Sequence, residues 1–404
     1  MPLLNFKLGK KSGKYVLSQD LYVVSVRLMD ESPVTQCTLS SDNTGRDCLD
    51  YICQRIDLQQ RCYFGLRLKL DPPGGGARMG GPEGGLLQQE GESQFSKVYR
   101  WVELDRPLKK QLATTNQRGT NNNKSMPQTI YFAVMFHTPS AATVSDPVSR
   151  HYYFLQMRSD IIEGRLLVSA EKAILLAGYN LQIFYGDHSD DRPSIVETLQ
   201  QRGEPLLPKY MATSGEVLVD LLRQVVECHR SLKGYGRPKT EALYIAEAQN
   251  CGGYGEEYFQ GRDVENHEVF VGYCQNGVVV KRLHEAPFTY SWNTIYSITS
   301  NKRYLYVKAD LSSGRFFMVD YDSAKYVAYV LRLQMEFYKV FLSKARSISR
   351  LADSVTEMKM KTQQRVNVLG FDATPPPTVG PMREPQFSLC KILRRSKIQI
   401  RIWR

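Results

Sequence analysis

The strongest pattern in the chain lies between Tyr258 and Leu342, where short alternating segments give way to one long helical period. Segments 268–274, 277–283, 288–292, 294–299, 304–307 and 315–319 are rich in Val, Ile, Tyr and Phe and are separated by polar or Gly-bearing turns. That spacing predicts the strands of a small sandwich or barrel. From Asp322 the period changes. Val327, Val330, Leu331, Phe337, Tyr338 and Phe341 recur at three- and four-residue steps. They predict a helix of about twenty residues whose first turn is capped by Asp322 or Ser323. This helix is apolar over more than one face, so it either lines a groove beside a strand or has one wide buried face.

The amino-terminal third reads differently. Residues 21–29 alternate, with Tyr22, Val24, Val26 and Leu28 on one face, and residues 34–39 form a second strand after a Pro-containing turn. A helix is predicted over 44–56 from Cys48, Leu49, Ile52, Cys53 and Ile56, then a strand at 62–68. Hairpin, helix and strand open a ubiquitin-like β-grasp lobe. Two insertions, 71–97 and 114–128, read as flexible surface loops. The first is Gly-rich but lacks the G-x-x-x-x-G-K-[ST] spacing that cradles phosphates. Residues 99–112 lie between the loops, and the apolar segment 130–136 completes the lobe. Helices are then predicted at 147–161, 169–185, 214–233 and 239–249. The third opens on a capping box of Thr213, Ser214, Gly215 and Glu216.

The predicted organisation is a β-grasp lobe over 20–137, a helical lobe over 147–250 and a β module closed by a helix over 254–342. The closing architecture is that of pleckstrin-homology (PH) and phosphotyrosine-binding (PTB) modules. A basic, disordered tail over 343–404 follows.

Composition narrows the function. With 404 residues and 42% hydrophobic residues the chain can bury real cores. No stretch has the length or hydropathy of a spanning helix or secretory signal, which predicts a soluble intracellular protein. The eight cysteines show no Cys-x-x-Cys and no zinc spacing, so they read as reduced structural thiols and no metal site is expected. Net charge is +12, but residues 343–404 hold 13 Lys or Arg against 4 Asp or Glu, which leaves +3 for the rest. A nearly balanced body with a basic tail argues against nucleic acid and for an acidic membrane surface.

In this order the lobes resemble the FERM domain of the ezrin, radixin, moesin and merlin type, over roughly residues 15 to 345. The matching words are RWVELDRPLKKQL at 100–112, DPVSRHYYFLQMRSDIIEGRL at 146–166, LLAGYNLQIFYGDHS at 175–189 and YGEEYF at 254–259. The resemblance implies a multidomain α+β fold: a ubiquitin-like lobe, an acyl-CoA-binding-protein-like bundle, and a PH/PTB-like sandwich with its carboxy-terminal helix. The opening MPLLNFKLGKK, the YFGL at 63–66 and the WVELDRPLKK block are similar to Pez-type non-receptor tyrosine phosphatases. No Cys is followed six residues later by Arg, so the phosphatase signature is missing here. Cys228, His229 and Arg230 fall on one helix with side chains diverging, and the remaining histidines read as surface or loop residues, so no catalytic residue and no cofactor are expected.

The resemblance further implies a peptide groove between one strand of the third lobe, at Ile295, Tyr296, Ser297, Ile298 and Thr299, and the closing helix, at Tyr326, Val327 and Val330. Such a groove takes cytoplasmic tails of membrane proteins. It also implies a phosphoinositide cleft between the first and third lobes, for which Arg67, Lys69, Lys281, Arg282, Lys302 and Arg303 are the candidates. Arg346 three residues before Ser349 fits a basophilic kinase site, where phosphate weakens attachment to an anionic surface. The chain is expected at the cell cortex and inner face of the plasma membrane, as a non-catalytic adaptor to junctional or cytoskeletal proteins. The alternative is the membrane-targeting portion of a FERM-containing phosphatase.

Overall fold

A computed structural model of the chain describes residues 21–30, 32–69, 99–116, 129–189, 204–211, 216–341 and 343. Both insertion loops except 114–116, the capping box at 213–215 and Ser349 lie outside them, as does the tail beyond 343.

The first sheet has five strands: β1 (Leu21–Arg27), β2 (Thr35–Ser40), β3 (Phe64–Lys69), β4 (Tyr99–Trp101) and β5 (Thr129–Val134). They lie in the order β2-β1-β5-β3-β4, antiparallel except for β1 beside β5, where Val26 faces Ile130. Across the sheet lies α1 (Gly45–Arg55). Thr44 and Asp47 close its amino terminus reciprocally, Thr44 N–H donating to Asp47 Oδ2 at 2.7 Å and Asp47 N–H to Thr44 Oγ1 at 3.3 Å. Its apolar stripe, Cys48, Leu49, Ile52 and Cys53, is buried on the sheet. The helix α2 (Leu108–Asn116) follows β4.

The helical lobe contains α3 (Pro147–Ile162), α4 (Ala170–Tyr185), α5 (Glu216–Ser231) and α6 (Arg237–Ala248). Pro147 sits at the start of α3, where a missing N–H costs nothing, and the Asp146 carboxylate accepts from Ser149 N–H at 2.9 Å. The same carboxylate accepts from Gln59 N–H at 3.2 Å, so one cap also ties this lobe to the first. α4 ends at Gly186, whose φ of +72° few other residues tolerate.

The third lobe is a seven-stranded antiparallel sheet: β6 (Glu257–Arg262), β7 (Glu268–Cys274), β8 (Gly277–Arg282), β9 (Phe288–Ser291), β10 (Ile295–Asn301), β11 (Tyr304–Ala309) and β12 (Ser313–Met318). Its order is β10-β11-β12-β6-β7-β8-β9, so β10 and β9 are the two edges. The closing helix α7 spans residues 321–341. Its first turn is held by Asp320, whose carboxylate accepts from Ser323 N–H at 2.6 Å. The predicted caps, Asp322 and Ser323, are therefore two and three residues too late. The three-lobe α+β fold expected from the pattern is the fold observed.

α7 has one wide buried face, the second of the two readings. On one side Tyr338 stacks on Trp292 of the third lobe at 5.8 Å, and Val327, Val330 and Leu331 are buried in the core. On the other, α7 meets the first lobe. Trp101 N–H donates to Tyr326 Oη at 2.9 Å, Leu104 N–H to Tyr329 Oη at 3.2 Å, and Gln334 Nε2 to the Met135 carbonyl at 2.9 Å. Phe337 stacks on Phe136 at 4.9 Å. A single apolar core runs through all three lobes, with a smaller one between α4 and α5.

Candidate functional site

The groove expected beside β10 has one side where the sequence put it and another that differs. Among the described residues β10 pairs only with β11, through Ile298–Val307, Thr299–Tyr306 and Asn301–Tyr304, and none of them places a strand along its outer edge. A register shift between Ile295 and Ser297 leaves Tyr296, 64% exposed, on a bulge, a device that deters edge-to-edge pairing. Ile295 and Ile298 point inward and are buried, whereas Thr299 is exposed.

The helix side is not formed by Tyr326, Val327 and Val330. All three are buried, Tyr326 against the first lobe and the two valines in the core. They share a helix face, but that face points inward. The residues that reach β10 are Arg332 and Lys339. Arg332 Nη1 donates to the Ile298 carbonyl at 3.2 Å, and Lys339 Nζ to the Ile295 carbonyl at 2.6 Å. Two carbonyls on the edge are thus held by long cationic side chains instead of a neighbouring strand. Glu336 lies between them in sequence. Burial pushes its carboxyl pKa above the usual range, and the Arg332 charge pulls the other way. Burial also lowers the Arg332 pKa. The signal that could have found Arg332 and Lys339 is their seven-residue spacing on the partly buried side of α7, two helical turns apart.

The lipid candidates divide. Arg67 cannot meet a lipid headgroup: it is 8% exposed, and its guanidinium lies 3.9 Å over the Trp101 ring. Burial lowers its pKa, opposed first by Glu257 and then by Asp160. Glu257 is itself buried and accepts from Trp101 Nε1 at 3.1 Å and from Tyr273 Oη at 2.8 Å. Strand alternation predicts a solvent face at Arg67, but the third lobe covers that face of β3. Lys69 is exposed at the end of β3. Lys281 pairs with Glu256 at 3.5 Å and lies 3.9 Å from the Tyr258 ring. Arg282 pairs with Asp263 at 3.2 Å. Lys302 and Arg303 are exposed at the β10–β11 turn, where Lys302 takes φ +52°. Of the six, Arg67 is enclosed, Lys281 and Arg282 are ion-paired, and Lys69, Lys302 and Arg303 are exposed.

Two histidines are enclosed, of which only His137 was expected at the surface or in a loop. His229 is buried on α5 with Nε2 2.8 Å from the Gly186 carbonyl, an arrangement that holds the end of α4. His137 sits where the three lobes meet, its ring 5.1 Å from that of Tyr254 and 6.2 Å from that of Tyr153. Its Nδ1 is enclosed without a hydrogen-bond partner, and burial pulls its pKa down to about 4. The seven described cysteines are unpaired by disulfides, and among the described residues no cluster of His, Cys, Asp or Glu could hold a metal. No described helix is long and apolar enough to cross a membrane.

The three lobes and their junctions define a FERM-type module. Residues 26–73 match the FERM N-terminal domain and residues 139–259 the FERM central domain, so the chain carries both. It is 30% identical over 338 residues to mouse tyrosine-protein phosphatase non-receptor type 14, covering 82% of this chain and 25% of that protein. It is 28% identical to rat tyrosine-protein phosphatase non-receptor type 21 over 84% of this chain and 26% of that protein. Human band 4.1-like protein 3 is 24% identical, over 75% and 24%. The chain therefore spans about a quarter of the length of these relatives. Among solved structures, the FERM and C-terminal domain complex of Drosophila Merlin superposes with a TM-score of 0.63 at 17% identity, over 80% of this chain and 98% of that one. At that identity the likeness is one of fold.

Proposed function

We propose that this chain is a non-catalytic FERM adaptor that captures an extended segment of a membrane protein's cytoplasmic tail along β10. The observation that carries this reading is the β10 edge, which among the described residues has no strand beside it and whose Ile295 and Ile298 carbonyls accept from Lys339 and Arg332. An incoming strand supplies backbone N–H donors to the same carbonyls, and the two flexible cations swing away. Lys69, Lys302 and Arg303 are the exposed cations left for inner-leaflet phosphoinositides, placing the protein at the cell cortex beside cytoskeletal or junctional proteins. Phosphate on Ser349 weakens that attachment by reducing local positive charge.

The test is fluorescence anisotropy of labelled membrane-protein tail peptides against the full chain. Ser300 lies two residues beyond Ile298 and shares its edge orientation. Ser300→Pro removes an outward N–H from an edge strand, where proline is tolerated, and should weaken binding about tenfold with the melting temperature retained. Arg332→Ala should tighten binding, since no cation then competes for the Ile298 carbonyl. Unchanged affinity in both variants sinks the reading.

A second reading rests on the 30% identity to a phosphatase of which this chain covers 25%: this chain is the targeting portion of a tyrosine phosphatase. Sequencing longer transcripts for a Cys-x5-Arg domain decides it.

A further inference from the structure

We propose that the solvent face of β11 and β12 is a second docking surface, for a glutamate- or aspartate-rich segment of a partner protein, independent of the β10 groove. Leu305, Val307, Phe316 and Met318 point into the core, so their neighbours point outward. These neighbours form a layered cluster. Tyr304 meets Phe317 edge-on at 5.3 Å and Tyr306 at 6.2 Å; the Arg315 guanidinium lies 5.5 Å from the Tyr304 ring and that of Arg303 5.8 Å from Phe317.

Charge decides what such a face can take. The outward positions of β10, β11 and β12 include no Asp or Glu, while Lys308 and Arg315 on the strands and Lys302 and Arg303 at the turn supply four cations. Among the described residues no carboxylate stands within ion-pair distance of any of the four. Elsewhere in the lobe Lys281 pairs with Glu256 and Arg282 with Asp263, and Arg262, Arg332 and Lys339 bond to amide or carbonyl oxygens. Cross-strand packing explains the aromatic rings but not four like charges without counter-charge, which repel one another and weaken the sheet. An arginine laid on a ring is held in place while its in-plane N–H fork remains open to a carboxylate. Rings, arginine and missing acid together match an acidic peptide, because carboxylates engage that fork bidentately and aromatic residues with arginine concentrate binding energy at interfaces. A lipid headgroup reaches Lys302 and Arg303 at the turn but does not match the strand face beside them, because Tyr306 and Phe317 are half-buried beneath the cations and do not project.

The test uses the full chain and a fluorescein-labelled peptide of alternating glutamate and glycine, read by anisotropy over a salt series. Arg303→Ala with Arg315→Ala should weaken binding by about tenfold or more, two charge-assisted contacts being lost. Arg55→Ala with Arg223→Ala removes equal charge from the other lobes and should change binding by less than about twofold, which separates this face from general attraction to a basic protein. Arg303→Lys with Arg315→Lys keeps the charge and should still lose about threefold, because a lysine cannot fork. Equal losses in the two alanine pairs, or lysine variants that bind as the parent does, overturn the proposal. So does binding to phosphatidylserine vesicles that falls in the Arg303/Arg315 alanine pair while peptide binding does not. Failure of the tail peptides at β10 leaves this result untouched, since the two surfaces are read with different probes and variants.

Discussion

Replacing Glu257 with alanine should loosen the junction between the first and third lobes. Its carboxylate accepts from Trp101 Nε1 at 3.1 Å and Tyr273 Oη at 2.8 Å, and of the charges acting on buried Arg67 it weighs most. Glu257→Ala leaves two buried donors short of an acceptor, each costing about 1–3 kcal/mol, and removes the strongest favourable charge acting on buried Arg67. These penalties overlap because they act through one carboxylate, so the expected loss is about 4 kcal/mol, a large part of the 5–15 kcal/mol typical of a domain. Urea unfolding of the full chain followed by tryptophan fluorescence reads it, since Trp101 reports on the first lobe and Trp292 on the third. Glu257→Gln keeps an acceptor and should lose about half as much. Arg67→Met combined with Glu257→Gln removes both charges and should be more stable than the sum of the single losses predicts, by about 1 kcal/mol or more. A Glu257→Ala loss under about 1 kcal/mol, or additive behaviour in the cycle, would refute the claim that Arg67 is a structural cation.

Stability should also depend on pH through His137. Its folded pKa of about 4 lies below the ordinary value of 6.5, so the unfolded chain takes up the proton first. The contribution is intact above pH 6.5 and is lost as pH falls toward 4, by roughly 3 kcal/mol; unfolding measured from pH 7 to 4 should be flatter for His137→Phe. Gly277→Ala should destabilise the third lobe by about 2 kcal/mol or more in thermal unfolding, because a Cβ there would lie 1.9 Å from the Tyr290 carbonyl and force β8 and β9 apart. Asp320→Ala should cost about 1 kcal/mol in the same assay by uncapping α7.

The lobes were legible because each has its own hydrophobic period. The alternation through β1 and the stripe of α1 are local, and both sit where spacing predicts them. The lobe junctions were not legible, because nothing in the sequence near Arg67 distinguishes it from Lys69, two residues on and on the same side of β3. The difference comes from Trp101 and Glu257, which approach it from 34 and 190 residues away. His137 was misread for the same reason: its enclosure is made by Tyr153 and Tyr254, each from a different segment.

The groove illustrates the limit more sharply. Helical period correctly identified the apolar face of α7, and family resemblance then assigned that face to a ligand. An apolar face on a helix is satisfied by whatever core it meets first, and here Val327 and Val330 are buried in the core the lobes share while Tyr326 is held by the first lobe. What remains for β10 is the border of that face, where Arg332 and Lys339 keep their stems on the protein and send their charges to the edge carbonyls. An edge strand left with bare carbonyls invites pairing with any extended chain. Cations from the neighbouring helix satisfy those carbonyls without adding a strand, and they yield to a partner that brings its own N–H groups in register. A strand edge held in this way stays both protected and available, which a row of valines from α7 could not achieve.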